Sequence, residues 1–275
     1  PFIWLFSRLP MFVLYFISDF FFVLLYYVFG YRKEVILKNL SYAFPEKSEK
    51  EKQQIAKKFY KHFTDIMVES IKSFSISEKK VLKRYTYKNP ELVNKYVSEG
   101  RNIALVSAHL ANWEWSFSLP LVLNTKVFGA YNKLRNETFE KTLKENREKF
   151  GVVGATTANF IKLIKSNFEN NIQGAYILLS DQSPHIEKTF HWSTFFGVKV
   201  PVHTGAEMLA KKHDLVVINY RAKKLKRGYY EAEQKLYKYK DDWSFRDYHK
   251  EKLKSKQTLK SLKKYSIEEV LKDNL

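Results

Sequence analysis

A histidine and a carboxylate stand five residues apart in the stretch Ser107-Ala108-His109-Leu110-Ala111-Asn112-Trp113-Glu114-Trp115. The chemistry open to such a pair is acid–base: the imidazole takes a proton from a hydroxyl, and the carboxylate fixes its tautomer and stabilises the imidazolium. On one continuous helix, residues five apart point about 140° away from each other, so the pair would not share a face. The spacing works if His109 lies in a turn and Glu114 in the first helical turn. Asn112 is a good N-cap, which puts Glu114 at the second helical position, where the helix dipole favours a negative charge. The pattern is not that of a His-Glu-x-x-His zinc helix, and no second histidine is placed to complete a metal site. On spacing alone, a capped helix with an incidental exposed histidine is the better reading, because His-x4-Glu is short enough to recur by chance.

The elements around this stretch would have to position it. Short β-branched runs alternate with helical stretches beyond Gly100. Strands are expected at 103–106, 126–130, 175–179 and 215–220, and helices at 113–122, 138–150, 158–168 and 204–212. This alternation predicts an α/β fold with a largely parallel sheet flanked by helices, preceded by an N-terminal hydrophobic membrane-anchoring helix. In such sheets the ligand cleft lies beyond the carboxyl ends of the strands. The polar residues just past those ends are His109, Tyr131, Asn132, Asp181, Gln182 and Arg221. Upstream, Ser48 and Glu51 form a capping-box pattern. The helix they open should carry Ile55, Phe59, Phe63 and Ile66 as a core-facing stripe. A short helix at 91–98 should end at Gly100.

Composition narrows the surroundings. A formal charge of +19 calls for polyanionic partners: anionic lipid, an acidic protein or nucleic acid. The absence of cysteine removes thiol nucleophiles, disulfides and cysteine-based zinc sites. Residues 2–29 are almost wholly apolar or aromatic, interrupted by Arg8, Pro10 and Asp19. The part from Met11 to Gly30 matches the roughly 20 residues that span a bilayer core. Asp19 would be costly at mid-membrane, which keeps a tilted or interfacial helix open, and a buried core helix remains the plain alternative. Tyr26, Tyr27, Tyr31, Arg32 and Lys33 read as an interfacial collar, and the positive-inside rule puts the bulk of the chain on the cytoplasmic side. A cleaved signal peptide fits less well, since the run is long and has no small-residue cleavage site.

Taken with its neighbours, the pair has a family likeness. The chain resembles the lysophospholipid acyltransferase superfamily, in the branch of the late lipid A acyltransferases that add secondary acyl chains. His109-x4-Glu114 matches the branch's His-x4-Asp/Glu signature. Tyr131-Asn132-Lys133-Leu134-Arg135-Asn136 is similar to its second block, with Asn132 where an arginine is frequent. Arg147-Glu148-Lys149-Phe150-Gly151, Ser180-Asp181-Gln182-Ser183-Pro184, Phe195-Phe196-Gly197 and Thr204-Gly205 resemble later blocks. Asn39 to Pro45 is similar to a segment near the family's N-terminus. The order and spacing hold over roughly residues 1–225 and fade past Arg221.

The resemblance implies His109 as general base on an acceptor hydroxyl and Glu114 as its orienting partner. It implies Arg147 and Asp181 in charge positioning and substrate binding, and Arg135 in contact with an anionic group of donor or acceptor. It implies no cofactor or metal. The acyl donor would be an acyl carrier protein thioester, with acyl-CoA the lesser choice, and the acceptor a glycolipid or lysolipid on an anionic inner membrane, worked on from the cytoplasmic face. The runner-up is an acyltransferase acting on a lysophospholipid or amino-lipid. From other classes come a non-catalytic membrane scaffold and a basic nucleic-acid-binding protein. Nucleic acid is disfavoured by the lack of zinc-finger spacing and of an RNP-like aromatic signature. The expected organisation is a membrane anchor or interfacial helix (1–33), a helical lead-in (34–100), an α/β acyltransferase core (101–235) and a basic tail (236–275). In that tail, lysines interleaved with Leu253, Leu259 and Leu262 read as a membrane-surface helix or as a solvated tail.

Overall fold

A computed structural model of the chain describes residues 2–134, 136–184 and 186–237. Arg135 and the basic tail from 238 onward lie outside the described residues. In chain order the helices are α1 (Phe2–Arg8), α2 (Met11–Val23), α3 (Lys33–Ala43), α4 (Glu49–Lys72), α5 (Glu78–Arg84), α6 (Glu91–Ser98), α7 (Glu137–Glu148), α8 (Thr157–Glu169) and α9 (Gly205–Lys212). The strands are β1 (Tyr85–Tyr87), β2 (Ile103–Ser107), β3 (Lys126–Tyr131), β4 (Val152–Thr156), β5 (Gly174–Leu179), β6 (His191–Phe195), β7 (Val198–Val202), β8 (Val216–Lys226) and β9 (Tyr229–Leu236).

Side-chain alternation explains why the middle strands sit where they do. Ile103 and Leu105 face one side of β2 and Ala104 the other, and every one of them is buried. The first face joins Val127, Val152, Ala175, Val216 and Ile218 of other strands to Val81, Val93 and Val97 of α5 and α6, and to Trp115 and Leu119. The second joins Phe128, Tyr176, Leu178 and Val217 to Phe160 and Ile164 of α8 and Leu209 of α9. Strands buried on both faces need helices on both, which is the arrangement a parallel sheet requires.

The sheet has seven strands in the order β1-β9-β8-β2-β5-β3-β4. The five from β8 to β4 run parallel; β9 pairs antiparallel with β8, and β1 runs parallel to β9. The α/β class and the largely parallel sheet are therefore as the periodicity predicts. Five strands beyond those expected complete the picture: β1, β4, the β6 and β7 of a separate hairpin with its turn at Phe196 and Gly197, and β9, which closes the long β8 hairpin. In β9 the inward positions are Tyr230, Ala232 and Gln234, a period of two carried partly by polar side chains and so invisible to an apolar count.

Two expectations for the helices need correction. The segment after Asn112 is not an α-helix but a 3₁₀ helix, Trp113–Leu121, with Pro120 inside it. Proline removes a backbone donor, which the α-form would miss. In α4 the capping box at Ser48 and Glu51 is formed. Of the expected stripe Ile66 is buried and Ile55 and Phe63 are half-buried, but Phe59 is 48% exposed, and the buried face runs through Ala56, Tyr60, Thr64, Val68 and Glu69. Helix α4 packs against α2, and that partner selects its inner face.

Helix α2 continues through a π-turn at Leu24–Val28, and Met11–Val28 is long and apolar enough to cross a membrane by length and composition. Only Leu14 and Ser18 of α2 are buried; Phe12 and Phe16 are 75% and 77% exposed. Ser18 donates to Asp65 on α4 at 2.9 Å. Asp19, the charge that interrupts the apolar run, accepts from Arg227 at 2.8 Å and 3.0 Å, and Arg227 also reaches Asp65 at 2.7 Å. One flank of α2 is thus polar and docked on the body of the protein, and its phenylalanines face outward.

Candidate active site

The sheet's register builds the site. Strands β2 and β5 are neighbours, with Ser107 opposite Leu179, and the pairing runs on one step through the Ser180 amide to the Ser107 carbonyl at 3.1 Å. His109 and Asp181 each lie two residues beyond that last registered pair, so the sheet delivers them side by side at its carboxyl edge. Asp181 receives two hydrogen bonds from His109: Nδ1 approaches Oδ1 at 2.8 Å, and the backbone amide donates to Oδ2 at 3.0 Å. Partial burial alone would raise the Asp181 pKa, but these bonds from the ring and the amide outweigh it and hold the carboxyl below its usual range. A neutral imidazole that gives its Nδ1 proton to Asp181 presents Nε2 as a base. The Trp113 ring stands edge-on to it at 5.5 Å between centroids.

Glu114, expected as the partner of His109, makes its hydrogen bonds to another residue. Both of its oxygens are held by Arg147 of α7, at 2.5 Å from Nη2 and 3.1 Å from Nε. This bidentate pair is largely shielded, with 10% of the Glu114 side chain exposed. The Arg147 guanidinium also lies 5.3 Å from the Phe117 ring centre, so it grips the 3₁₀ helix at two points. The local backbone separates the two expected partners. Ala111 adopts a left-handed conformation, φ 53°, unfavourable for a residue with a Cβ. It turns the chain between His109, which stays on the line of β2, and Asn112, which starts a helix whose first turn faces α7.

Asn112 caps that helix as its residue type predicts: its Oδ1 accepts the Trp115 amide at 3.1 Å. Its other side-chain atom reaches a group that the motif reading missed. Nδ2 donates to Glu69 Oε2 at 2.7 Å, and Glu69 on α4 is fully buried. Burial raises the Glu69 pKa, against hydrogen bonds from Tyr230, Tyr15 and Asn112 that lower it. The sequence signal for Glu69 is a carboxylate on the same face as Tyr60, Thr64 and Val68, four residues after Asp65. Phe59 and Phe63 lie on the neighbouring face of α4. Of the five expected site residues, four thus form two hydrogen-bonded pairs, His109 with Asp181 and Glu114 with Arg147, and Arg135 lies outside the described residues.

The fold and site thus define a mostly parallel α/β protein with a histidine–carboxylate pair at the sheet's carboxyl edge, an arginine-clamped glutamate five residues along and an apolar helix on one flank. Comparison with known proteins gives the family: residues 1–235 match the model of the bacterial lipid A biosynthesis acyltransferases, and the chain belongs to that family. It is similar to a lipid A biosynthesis acyltransferase of Haemophilus influenzae, 28% identical over 184 residues. That alignment covers 66% of this chain and 56% of the relative's length.

Proposed function

We propose that the chain is a membrane-associated O-acyltransferase that moves a fatty acyl group from an acyl carrier protein thioester to a hydroxyl of a lipid A precursor. The observation that carries this reading is the His109–Asp181 pair, whose geometry leaves Nε2 as a base at the edge of the sheet where ligands bind. His109 Nε2 takes the acceptor's hydroxyl proton as that oxygen attacks the thioester carbonyl, and Asp181 stabilises the imidazolium that forms. The tetrahedral intermediate expels the pantetheine thiolate, which takes the proton back from His109. The products are an ester and a free thiol, and no acyl-enzyme intervenes because the acceptor is itself the nucleophile.

In this reading the Glu114–Arg147 pair fixes the turn's geometry rather than His109's tautomer. Arg135 and the charge excess suit both an acidic carrier protein and a phosphorylated glycolipid. The outward phenylalanines of α2 would enter the inner membrane from the cytoplasmic face, with Asp19 kept on the protein side by Arg227.

The test uses the full chain in detergent, offered acyl-carrier and CoA thioesters with a lipid A precursor, a lysophospholipid and an amino-lipid, and mass spectrometry of the products. Acylated lipid A precursor formed from the carrier thioester, and lost in His109→Ala, is the expected result. Acylation of only the other lipids would move the assignment to the runner-up, and full activity in His109→Ala would end the mechanism.

A further inference from the structure

Glu69 is an expensive residue to place where it is. Its side chain is fully buried on α4, and nothing in the proton-transfer chemistry calls for it. Its carboxylate is met by three donors: Tyr15 of α2 at 2.8 Å, Tyr230 of β9 at 2.7 Å and Asn112 at 2.7 Å. Its backbone carbonyl accepts a fourth bond, from the Trp115 indole at 3.2 Å. A buried carboxylate held by so many donors is stable only while all of them stay in place.

Two of the four bonds end on the stretch from His109 to Trp115, and they do different things. A side-chain amide has a polarity. Asn112 can offer Oδ1 to the Trp115 amide only when Nδ2 points the other way, and a fully buried Nδ2 needs an acceptor there. Glu69 Oε2 is that acceptor. The carboxylate therefore selects the Asn112 orientation that caps the 3₁₀ helix, while the Glu69 carbonyl holds the Trp115 ring. Glu114 lies between these two anchored residues, and the strained Ala111 lies just before them. A left-handed alanine persists only where its surroundings over-determine it.

We infer that Glu69 is the positioning residue of the catalytic turn, acting through Asn112 to set where the 3₁₀ helix begins and hence where Glu114 and His109 stand relative to each other. Through Tyr15 the same carboxylate ties that turn to the apolar helix α2.

Exchanging the polarity of the bond tests this. Asn112→Asp keeps an acceptor for the Trp115 amide but sets a second carboxylate against Glu69. Adding Glu69→Gln supplies an amide that donates to the new carboxylate and restores one donor and one acceptor across the gap. The proposal rests on the acyl-transfer reading only for its activity assay. In that assay, Asn112→Asp should lower kcat by about 100-fold, the scale of a displacement near one ångström, with KM within a few-fold, and the double variant should recover most of the loss.

Hydrogen exchange at the Trp115 amide gives a readout independent of turnover: slow in the unaltered chain, fast in Asn112→Asp, slow again in the double variant. Unchanged kcat and exchange in Asn112→Asp would overturn the proposal. So would a double variant no better than Asn112→Asp, including one that fails to fold, because a role confined to packing or to the two tyrosines predicts no repair. Were the unaltered chain inactive on every donor offered, the acyl-transfer reading would fall, and the exchange measurement would decide this inference by itself.

Discussion

Asp181 holds His109 at two points, through the imidazole Nδ1 at 2.8 Å and through the backbone amide at 3.0 Å. The first bond fixes the tautomer and the second fixes the turn on which the ring sits. Asp181→Asn keeps the shape but can set an amide N–H against Nδ1 and cannot stabilise an imidazolium. We expect kcat to fall by about 10²- to 10⁴-fold, the usual worth of a positioned acid–base group, with KM little changed. Steady-state kinetics check this, and the thermal midpoint should barely move because the pair is one-third exposed.

The Glu114–Arg147 pair predicts a different signature. It is shielded and bidentate, so its loss should appear in stability as well as in turnover. Glu114→Gln and Arg147→Ala should each cost about 1.5–3 kcal/mol, the range for hydrogen bonds to charged groups. Arg147→Lys should recover little, since one ammonium cannot reproduce the planar fork that meets both oxygens. Denaturant or thermal unfolding in detergent measures all three, and an unchanged Arg147→Lys would show the second bond to be idle.

His62 on α4 gives the fold a pH dependence. Burial first, and then the Lys224 ammonium 3.1 Å from Nδ1, push its pKa down to about 4, against the smaller opposite pull of Asp65. Between about 4 and the ordinary value of 6.5 the unfolded chain binds a proton that the folded chain refuses. Stability therefore falls as pH is lowered through that window. Comparing thermal midpoints of the unaltered chain and His62→Gln between pH 7 and 5 isolates the effect: the variant should lose less than the parent.

The outer face of α2 makes a prediction about location. Phe12, Phe16 and Phe20 are all more than half exposed, while the opposite flank is docked on α4. Replacing the three with serine removes roughly 1.5–3 kcal/mol of burial each if they enter a bilayer. Flotation with anionic vesicles should drop sharply while the circular dichroism spectrum stays the same. Unchanged flotation would move the membrane contact to another part of the chain.

The stretches legible in the sequence are those where local chemistry suffices. The β-branched runs at β2, β3, β5 and β8 declare strands because both of their faces are buried, and the capping patterns at Ser48 and Asn112 declare helix starts because they satisfy orphan amides within three residues. Strand β9 is illegible because its inward positions include the polar Gln234 and Tyr230, and the Tyr230 hydroxyl is satisfied only by Glu69, far away in the chain. Glu69 escaped for the same reason: its carboxylate makes sense only once Tyr15, Asn112 and Tyr230 converge on it.

By itself, then, the sequence determined which groups could do chemistry, since residue type and ordered spacing suffice to bring His109, Glu114, Arg147 and Asp181 to notice. Tertiary structure decided who is partnered with whom. Strand order places β5 beside β2 although 66 residues separate Ser107 from the start of the 174–179 strand, and register then sets Asp181 against His109. The left-handed turn at Ala111 sends Glu114 to Arg147 instead. Hydrogen bonding acts over three ångströms while sequence spacing measures only chain length, so the pairing had to wait for the fold.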